Sequence, residues 1–565
     1  MLKDEQAIAW VITIVHAEAM TRTHRTAAEG RRRSASATHQ LRRHRYQKKL
    51  HSLLACTEDQ ALLWQIWAVR ALVADRRNLA VKIIPDAPQQ PWDFGQDYGP
   101  LPPWHLETLV NERFMTPPFP PPPRRGGFIK AYNTNRFSAL RHLARLLHAW
   151  EEAESGIVLD RLDVMKEMPR LTHRQFEWQR GFRNGAAYYR WAYLYGGPRA
   201  DAHFRSKTGG LSIPDFMFYG FAAHGIFDGR PVWRRHQWLD LVGFEPQASD
   251  RALRLLSQTP EAARELAKSE RKAPGGPAYQ RSVLRVAPII TFNGAADLVA
   301  PIPDLISARV TSGLFYDHVN APADVRNEMG ERFELYVRDL LNASLPGMKT
   351  SRSSPYRHGK QLIDPPDLLA VHEGRLAAVF ECKARKMSFD ARFSETSEAD
   401  RGHEELAKGV FQLWRFFAHH RLGIAQGPGP DPETTPVLVT LDNWMQMSGD
   451  RQRRVRAMAE ALARRKDPLI EEQDRRAIVF CSIEDLETTL QRRDEAGFIA
   501  DLSAAQEERF TGWMLPNIYR NEEPDLDKSY PLIDRMSEVL PWWDTLRRKM
   551  PEASSGSDET PPDDG

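Results

Sequence analysis

Apolar residues recur at helical spacing from Glu58 to Leu79, with Leu62, Leu63, Ile66, Trp67, Val69 and Leu72 on the repeat, and this predicts a core helix. Ser138 to Glu154 repeats leucine and alanine in the same way. A third helix opens at Gly330, and its stripe is Phe333, Tyr336, Val337, Leu340 and Leu341. At roughly 100° per residue Glu334 falls at the edge of that stripe and Glu331 well outside it. Beyond it the period drops to two. Leu362 to Val371 reads as a strand broken early by Pro365-Pro366, His372-Glu373-Gly374 as a turn, and Leu376 to Ala384 as a nearly all-apolar strand. An apolar helix with Val410, Phe411, Leu413, Trp414, Phe416 and Phe417 follows, then strands at Pro436 to Leu441 and Ala477 to Phe480.

Punctuation divides the chain into a helical region at 1–115, a proline-rich connector at 116–127, a second mainly helical region at 128–280, an α/β domain at 281–500, an extension at 501–550 and an acidic tail. Pro117 to Gly127 suits an extended polyproline spacer. Ala-Pro-Gly-Gly-Pro before residue 280 marks the boundary, after which Val283 to Leu298 reads as strand and turn. The tail from Pro551 lacks aromatic residues and is expected to be disordered. Ala7 to Val15 is too short to span a bilayer and runs into His16 and Glu18 instead of a cleavage site, so an amphipathic core helix is expected there.

Charge and cysteine count narrow the class. The 78 Lys and Arg against 75 Asp and Glu give a net charge of +3, so any phosphate-binding surface is local. One candidate is Arg22 to Lys49, with Arg31, Arg32, Arg33, Arg42 and Arg43; a phosphate-contacting arm and a solvated helical face fit it equally. Another is the aromatic and basic mixture of Phe176, Trp178, Arg180, Phe182, Tyr188, Tyr189 and Arg190, which suits base stacking or a core with a wet rim. Cys56, Cys382 and Cys481 stand far apart, which argues against a disulfide framework or zinc finger and points to a reducing cytoplasm.

The chemistry concentrates between Asp367 and Lys383. A two-residue turn at Glu373-Gly374 places Asp367 opposite Phe380, and one extra residue places it opposite Glu381. Strand alternation puts Glu381 and Lys383 on one face with Val379, and Phe380 and Cys382 on the other. An acid and an amine on such an apolar strand are costly to bury unless paired, and a metal with a water would pair them. The triplet alone carries little, because Glu270-Arg271-Lys272 has the same spacing in a charged linker. Asp364 competes with Asp367, but the two prolines separate it from the apolar run. Gln412 on an apolar helix needs a partner, while His419 and His420 read as a surface pair at a helix C-terminus.

These residues resemble the PD-(D/E)xK nuclease superfamily, over roughly residues 325–490: the helix from Gly330 to Glu334, Pro366-Asp367, Glu381-Cys382-Lys383, and a helix with Gln412 similar to that of the Mrr-like and Holliday-junction-resolvase-like branches. The resemblance implies a restriction-endonuclease-like fold, a mixed central sheet flanked by helices, behind the mainly α N-terminal region. It implies Mg²⁺, with Mn²⁺ as substitute, on Asp367, Glu381 and the Cys382 carbonyl, with Glu334 completing the acidic cluster. Lys383 would orient water or steady developing charge, and Gln412 would position metal, water or phosphate. The expected function is a nuclease acting on DNA in preference to RNA, in bacterial defence, with a second copy or another defence protein as partner. The rival is a nuclease-like fold kept for nucleic-acid binding or assembly.

Overall fold

A computed structural model describes residues 28–89, 101–120, 130–159, 175–235 apart from 176, 180 and 183, 245–271, 276–277, 280–387, 402–443, 448–518 and 526–549. Residues 1–27, most of the Pro117 to Gly127 connector and the tail lie outside the described residues, as do the side chains of Arg31, Arg32 and Arg33.

Among the elements that position the site, the N-terminal part contributes α1 (Ala28–Ala55), α2 (Asp59–Val73), α3 (Pro103–Met115), α4 (Phe137–Leu159), α5 (Gly185–Tyr195), α6 (Pro198–Thr208) and α7 (Ile213–Gly229). The predicted stripe of α2 is buried throughout and shares one core with α3 and α4. That core extends to Val283, Leu284, Ile290 and Val299. A small sheet of β1 (Val232–Arg234), β2 (Ser257–Gln258), β3 (Ile289–Phe292) and β4 (Asp297–Val299) runs in the order β1-β4-β3-β2. Ser257 pairs with Ile289, so the sheet ties together the two sides of residue 280, where composition marks a boundary. Arg70 adds a cross-link from α2, with Nε 2.6 Å from Asp304 Oδ2 and Nη1 2.8 Å from Asp228 Oδ1.

The second layer system begins with α8 (Ala323–Ser344). A five-stranded sheet follows, with β5 (Met348–Arg352), β8 (Leu368–His372), β9 (Arg375–Lys383), β10 (Pro430–Thr440) and β11 (Val479–Ser482) in the order β11-β10-β9-β8-β5. Between β5 and β8 stands a separate two-stranded ribbon, β6 (Tyr356–His358) and β7 (Gln361–Ile363). The expected strand from Leu362 to Val371 is thus two strands, because Pro365 and Pro366 cannot donate to a ladder. Strands β5, β8 and β9 are antiparallel, and β10 and β11 run parallel to β9. The crossovers are α9 (Gly402–Arg421) and α10 (Gly449–Lys466), both packed on the face that carries Val379 and Leu438. The other face, with Phe380 and Cys382, lies in one core with Phe333, Tyr336 and Val337 of α8. The chain therefore has a helical region and a mixed α/β sheet flanked by helices.

Tyr188, Tyr189 and Arg190 are all buried, so this part of the aromatic and basic segment is core. Arg190 bonds Glu487 and lies 3.1 Å from Glu484, joining α5 to the helix after β11. Among the described residues no helix is long and apolar enough to cross a membrane.

Candidate active site

The hairpin combines both registers that its sequence allows. Glu373 at φ +50° and Gly374 at φ +78° form a two-residue turn of the type that matches strand twist. His372 accordingly faces Arg375, and Val371 faces Leu376. Ala370 then pairs with Ala378, which leaves Ala377 as an extra residue in a bulge. From there Leu368 faces Phe380, and one step further Asp367 Oδ2 accepts the Cys382 N–H at 2.6 Å.

Glu381, on the face opposite Phe380 and Cys382, is 1% exposed, and Lys383 Nζ donates to its Oε1 at 2.6 Å. The ammonium also donates to Gln412 Oε1 at 3.2 Å, so the glutamine on the apolar helix has its partner. Gly409, one turn before Gln412, allows the approach. A Cβ there would stand 2.5 Å from Leu438 Cδ1, 3.1 Å from Lys383 Cε and 3.2 Å from Glu381 Cγ. Gly409→Val is expected to destabilise the protein by roughly 2 kcal/mol, overpacking outweighing the gain in helix propensity. Denaturant unfolding checks this, and an unchanged midpoint would show that α9 has room to move.

Glu334 reaches the same region from α8. Arg352 Nη2 donates to its Oε2 at 2.8 Å, and Nη1 lies 3.3 Å from Glu331 Oε1. Arg352 ends β5 opposite Leu368, one position from Asp367. Asn342 on α8 brackets Thr350 with bonds of 2.8 and 2.9 Å and so ties this edge strand to the helix. Reading the sequence missed Arg352. Its only signal is a cation at the position that shares a strand face with Met348 and Thr350, where the alternation of buried and exposed residues breaks and Arg352 stays exposed.

Three carboxylates, Glu334, Asp367 and Glu381, face two cations, Lys383 and Arg352. Burial pushes Glu381 up to about 8; Lys383 opposes this and the Asp367 charge adds to it. Burial and Asp367 raise Glu334 to about 7 against the pull of Arg352. Asp367 is raised as well, by burial, despite the Cys382 N–H and Lys383. For Lys383 burial acts downward, but Glu381 and Asp367 outweigh it and the ammonium keeps its proton more firmly.

Glu381 Oε2 is buried without a hydrogen-bond partner. Such an atom fits a cation, and Asp367 and the Cys382 carbonyl stand on the adjoining backbone. Among the described residues, however, no three His, Cys, Asp or Glu side chains gather closely enough to hold a metal ion. The expected set of Asp367, Glu381 and Glu334 does not form a closed cage, because Arg352, the Cys382 N–H and Lys383 each hold one acid in its own direction. An open set suits Mg²⁺, which keeps waters and takes phosphate oxygens.

Other sequence candidates fall elsewhere. Asp364 is exposed and uses its carbonyl on Arg415, at 2.8 Å. Arg42 is exposed, whereas Arg43 lies 3.1 Å from Glu154 of α4 and is partly neutralised. His419 is not a surface residue: it is fully buried, with Nδ1 2.8 Å from the Tyr356 hydroxyl and Nε2 2.9 Å from Asp467. The C-terminal turn of α9 is covered by the β6–β7 ribbon, which a helical count could not reveal. At Glu270 the decoy lacks a strand, since Glu270 ends a helix and Arg271 bonds Glu112 and Gln280.

Comparison with family models, with curated proteins and with solved structures finds no match to this chain.

Proposed function

We propose that the chain is a Mg²⁺-dependent nuclease with a restriction-endonuclease-like domain, hydrolysing phosphodiester bonds at Asp367, Glu381 and Lys383. Glu381 carries the reading: an enclosed carboxyl with one oxygen on an ammonium and the other unpartnered, beside a second acid. Burying such a group costs stability unless a cation uses it. When bound, Mg²⁺ or Mn²⁺ supplies a water of lowered pKa and offsets charge on the phosphate. Asp367, Glu381 and the Cys382 carbonyl would hold it. The Lys383 ammonium, kept charged by its acidic neighbours and steadied by Gln412, directs a proton at the attacking water or at the developing negative oxygen. Glu334, tethered by Arg352, completes the acidic rim.

DNA is the proposed substrate, and the large helical region its reader, in a cytoplasmic defence role alone, as a dimer or with a partner protein. Incubating the protein with linear, circular and single-stranded DNA and with RNA tests this. Cleavage should require Mg²⁺ and vanish in Asp367→Ala; metal-independent cleavage, or equal cleavage by that variant, would overturn it. The closed Lys383–Glu381 pair favours a second reading, a scaffold whose acids form an ion-pair network. Calorimetric titration with Mn²⁺ separates them, since a scaffold has no metal binding that depends on Glu381.

A further inference from the structure

The β6–β7 ribbon has its two feet at the candidate site. One foot follows Arg352 through Ser353, whose N–H donates to the Asp367 carbonyl at 3.2 Å; the other runs through Pro366 into Asp367 itself. Tyr356 pairs with Ile363, Arg357 with Leu362 and His358 with Gln361, and Gly359 at φ +59° opens the turn. A two-stranded ribbon alone is marginal in water, and this one has a mount. Ile363 is buried, the Tyr356 hydroxyl bonds His419, and the His358 ring meets the His419 ring edge-on at 5.2 Å. Asp467 fixes His419 from behind, at 2.9 Å.

Alternation turns the Arg357–Leu362 pair away from this mount. Leu362 is 62% exposed, and Arg357 and Lys360 are exposed too. Among the described residues neither cation has an ion-pair partner, and from Tyr356 to Ile363 the ribbon carries no acid. A rigid projection presenting two unpaired cations around an exposed leucine fits a polyanion with apolar surface between its charges. A nucleic-acid strand offers that combination in phosphates alternating with sugars and base edges. An apolar protein groove would accept Leu362 and strand Arg357.

We infer that the β6–β7 ribbon grips nucleic acid beside the scissile phosphate, with Arg357 and Lys360 on backbone phosphates and Leu362 against sugar or base. The inference deepens the nuclease reading and rests on it for the placement of the scissile phosphate. A strand crossing the acidic cluster passes the ribbon at once, since both feet adjoin Asp367.

Fluorescence anisotropy of the full chain in EDTA tests this, using labelled duplex DNA, single-stranded DNA and duplex RNA over a salt series. The arm bound most tightly identifies the source of the phosphates. The double variant Arg357→Ala/Lys360→Ala is expected to bind its best probe roughly tenfold more weakly and to reduce the salt slope by about 1 to 2. Leu362→Ala is expected to weaken binding several-fold with the slope unchanged. All three side chains are exposed, so unaltered thermal melts should accompany these losses. Wild-type affinity and slope in the double variant, or no binding by the wild type to any probe, would overturn the inference. If the wild type cuts while the variants bind normally, the ribbon role fails and the nuclease reading stands. If the variants lose binding but no protein cuts in Mg²⁺, the nuclease reading fails and the ribbon role stands.

Discussion

A Lys383→Ala protein is expected to fold and yet cleave nucleic acid roughly a hundred- to a thousandfold more slowly in Mg²⁺, the usual effect of removing one donor aimed at developing charge. The fold should survive for an electrostatic reason. Burial already pushes Glu381 up to about 8, so without its ammonium it takes a proton near neutral pH instead of remaining a stranded ion. The stability loss is then that of one buried hydrogen bond, about 1–3 kcal/mol, and not the 3–5 kcal/mol of a broken buried ion pair. Single-turnover cleavage with a thermal melt on the same sample checks both halves. A variant cutting within threefold of wild type would remove Lys383 from the chemistry.

Gln412→Ala should fall between wild type and Lys383→Ala, because Glu381 still holds the ammonium while its position loosens. This ordering follows from the distances, 2.6 Å to Glu381 and 3.2 Å to Gln412.

What could be read from the sequence was local and periodic. The α8 stripe, the two faces of β9 and the lone glutamine on α9 follow from repeats of 3.6 and 2, and all three stand as expected. What escaped depends on residues distant along the chain. The Ala377 bulge reconciles a two-residue turn with the longer register, and no turn rule specifies it. Arg352 enters the site because β5 pairs with β8 across the inserted ribbon. His419 is enclosed by Tyr356, 63 residues away. Composition marks residue 280, but β2–β3 pairing and the shared core cross it.

The same long-range packing links the helical region to the site. Helix α8 carries Glu334 toward Asp367, while Glu328 on its first half accepts the backbone N–H groups of Arg199 and Ala200 at 3.0 and 2.9 Å. These belong to the N-terminus of α6, where a carboxylate is favoured by the helix dipole. Tyr336 on the same helix donates to Glu487, which Arg190 of α5 also engages. Substrate held by the helices would thus bear on the helix that positions Glu334 through three separate polar contacts.

The pH dependence should run in opposite directions for stability and for activity. The folded pKa of Glu381, about 8, lies above its ordinary value, so between roughly pH 4.5 and 8 the folded state holds a proton that the unfolded state has released. Stability therefore falls as pH rises through that window and levels off above it, and Glu334, at about 7, contributes in the same sense at lower pH. His419, buried, and His420, half-buried, are shifted downward, by burial first, so they act in the opposite sense and are mostly spent by pH 7, which leaves pH 7 to 8.5 mainly to Glu381. Over that interval the metal-free protein should lose about 1 kcal/mol by denaturant unfolding, and Glu381→Gln should lose most of that slope. Cleavage by this route needs the ionised carboxylate, so at subsaturating Mg²⁺ kcat/KM should rise roughly fiftyfold from pH 6 to 8, with a midpoint that moves down as Mg²⁺ is raised. A flat activity profile beside a normal stability slope would mean that Glu381 titrates in the fold without serving the reaction. A stability slope that persists in Glu381→Gln would assign the proton to another group.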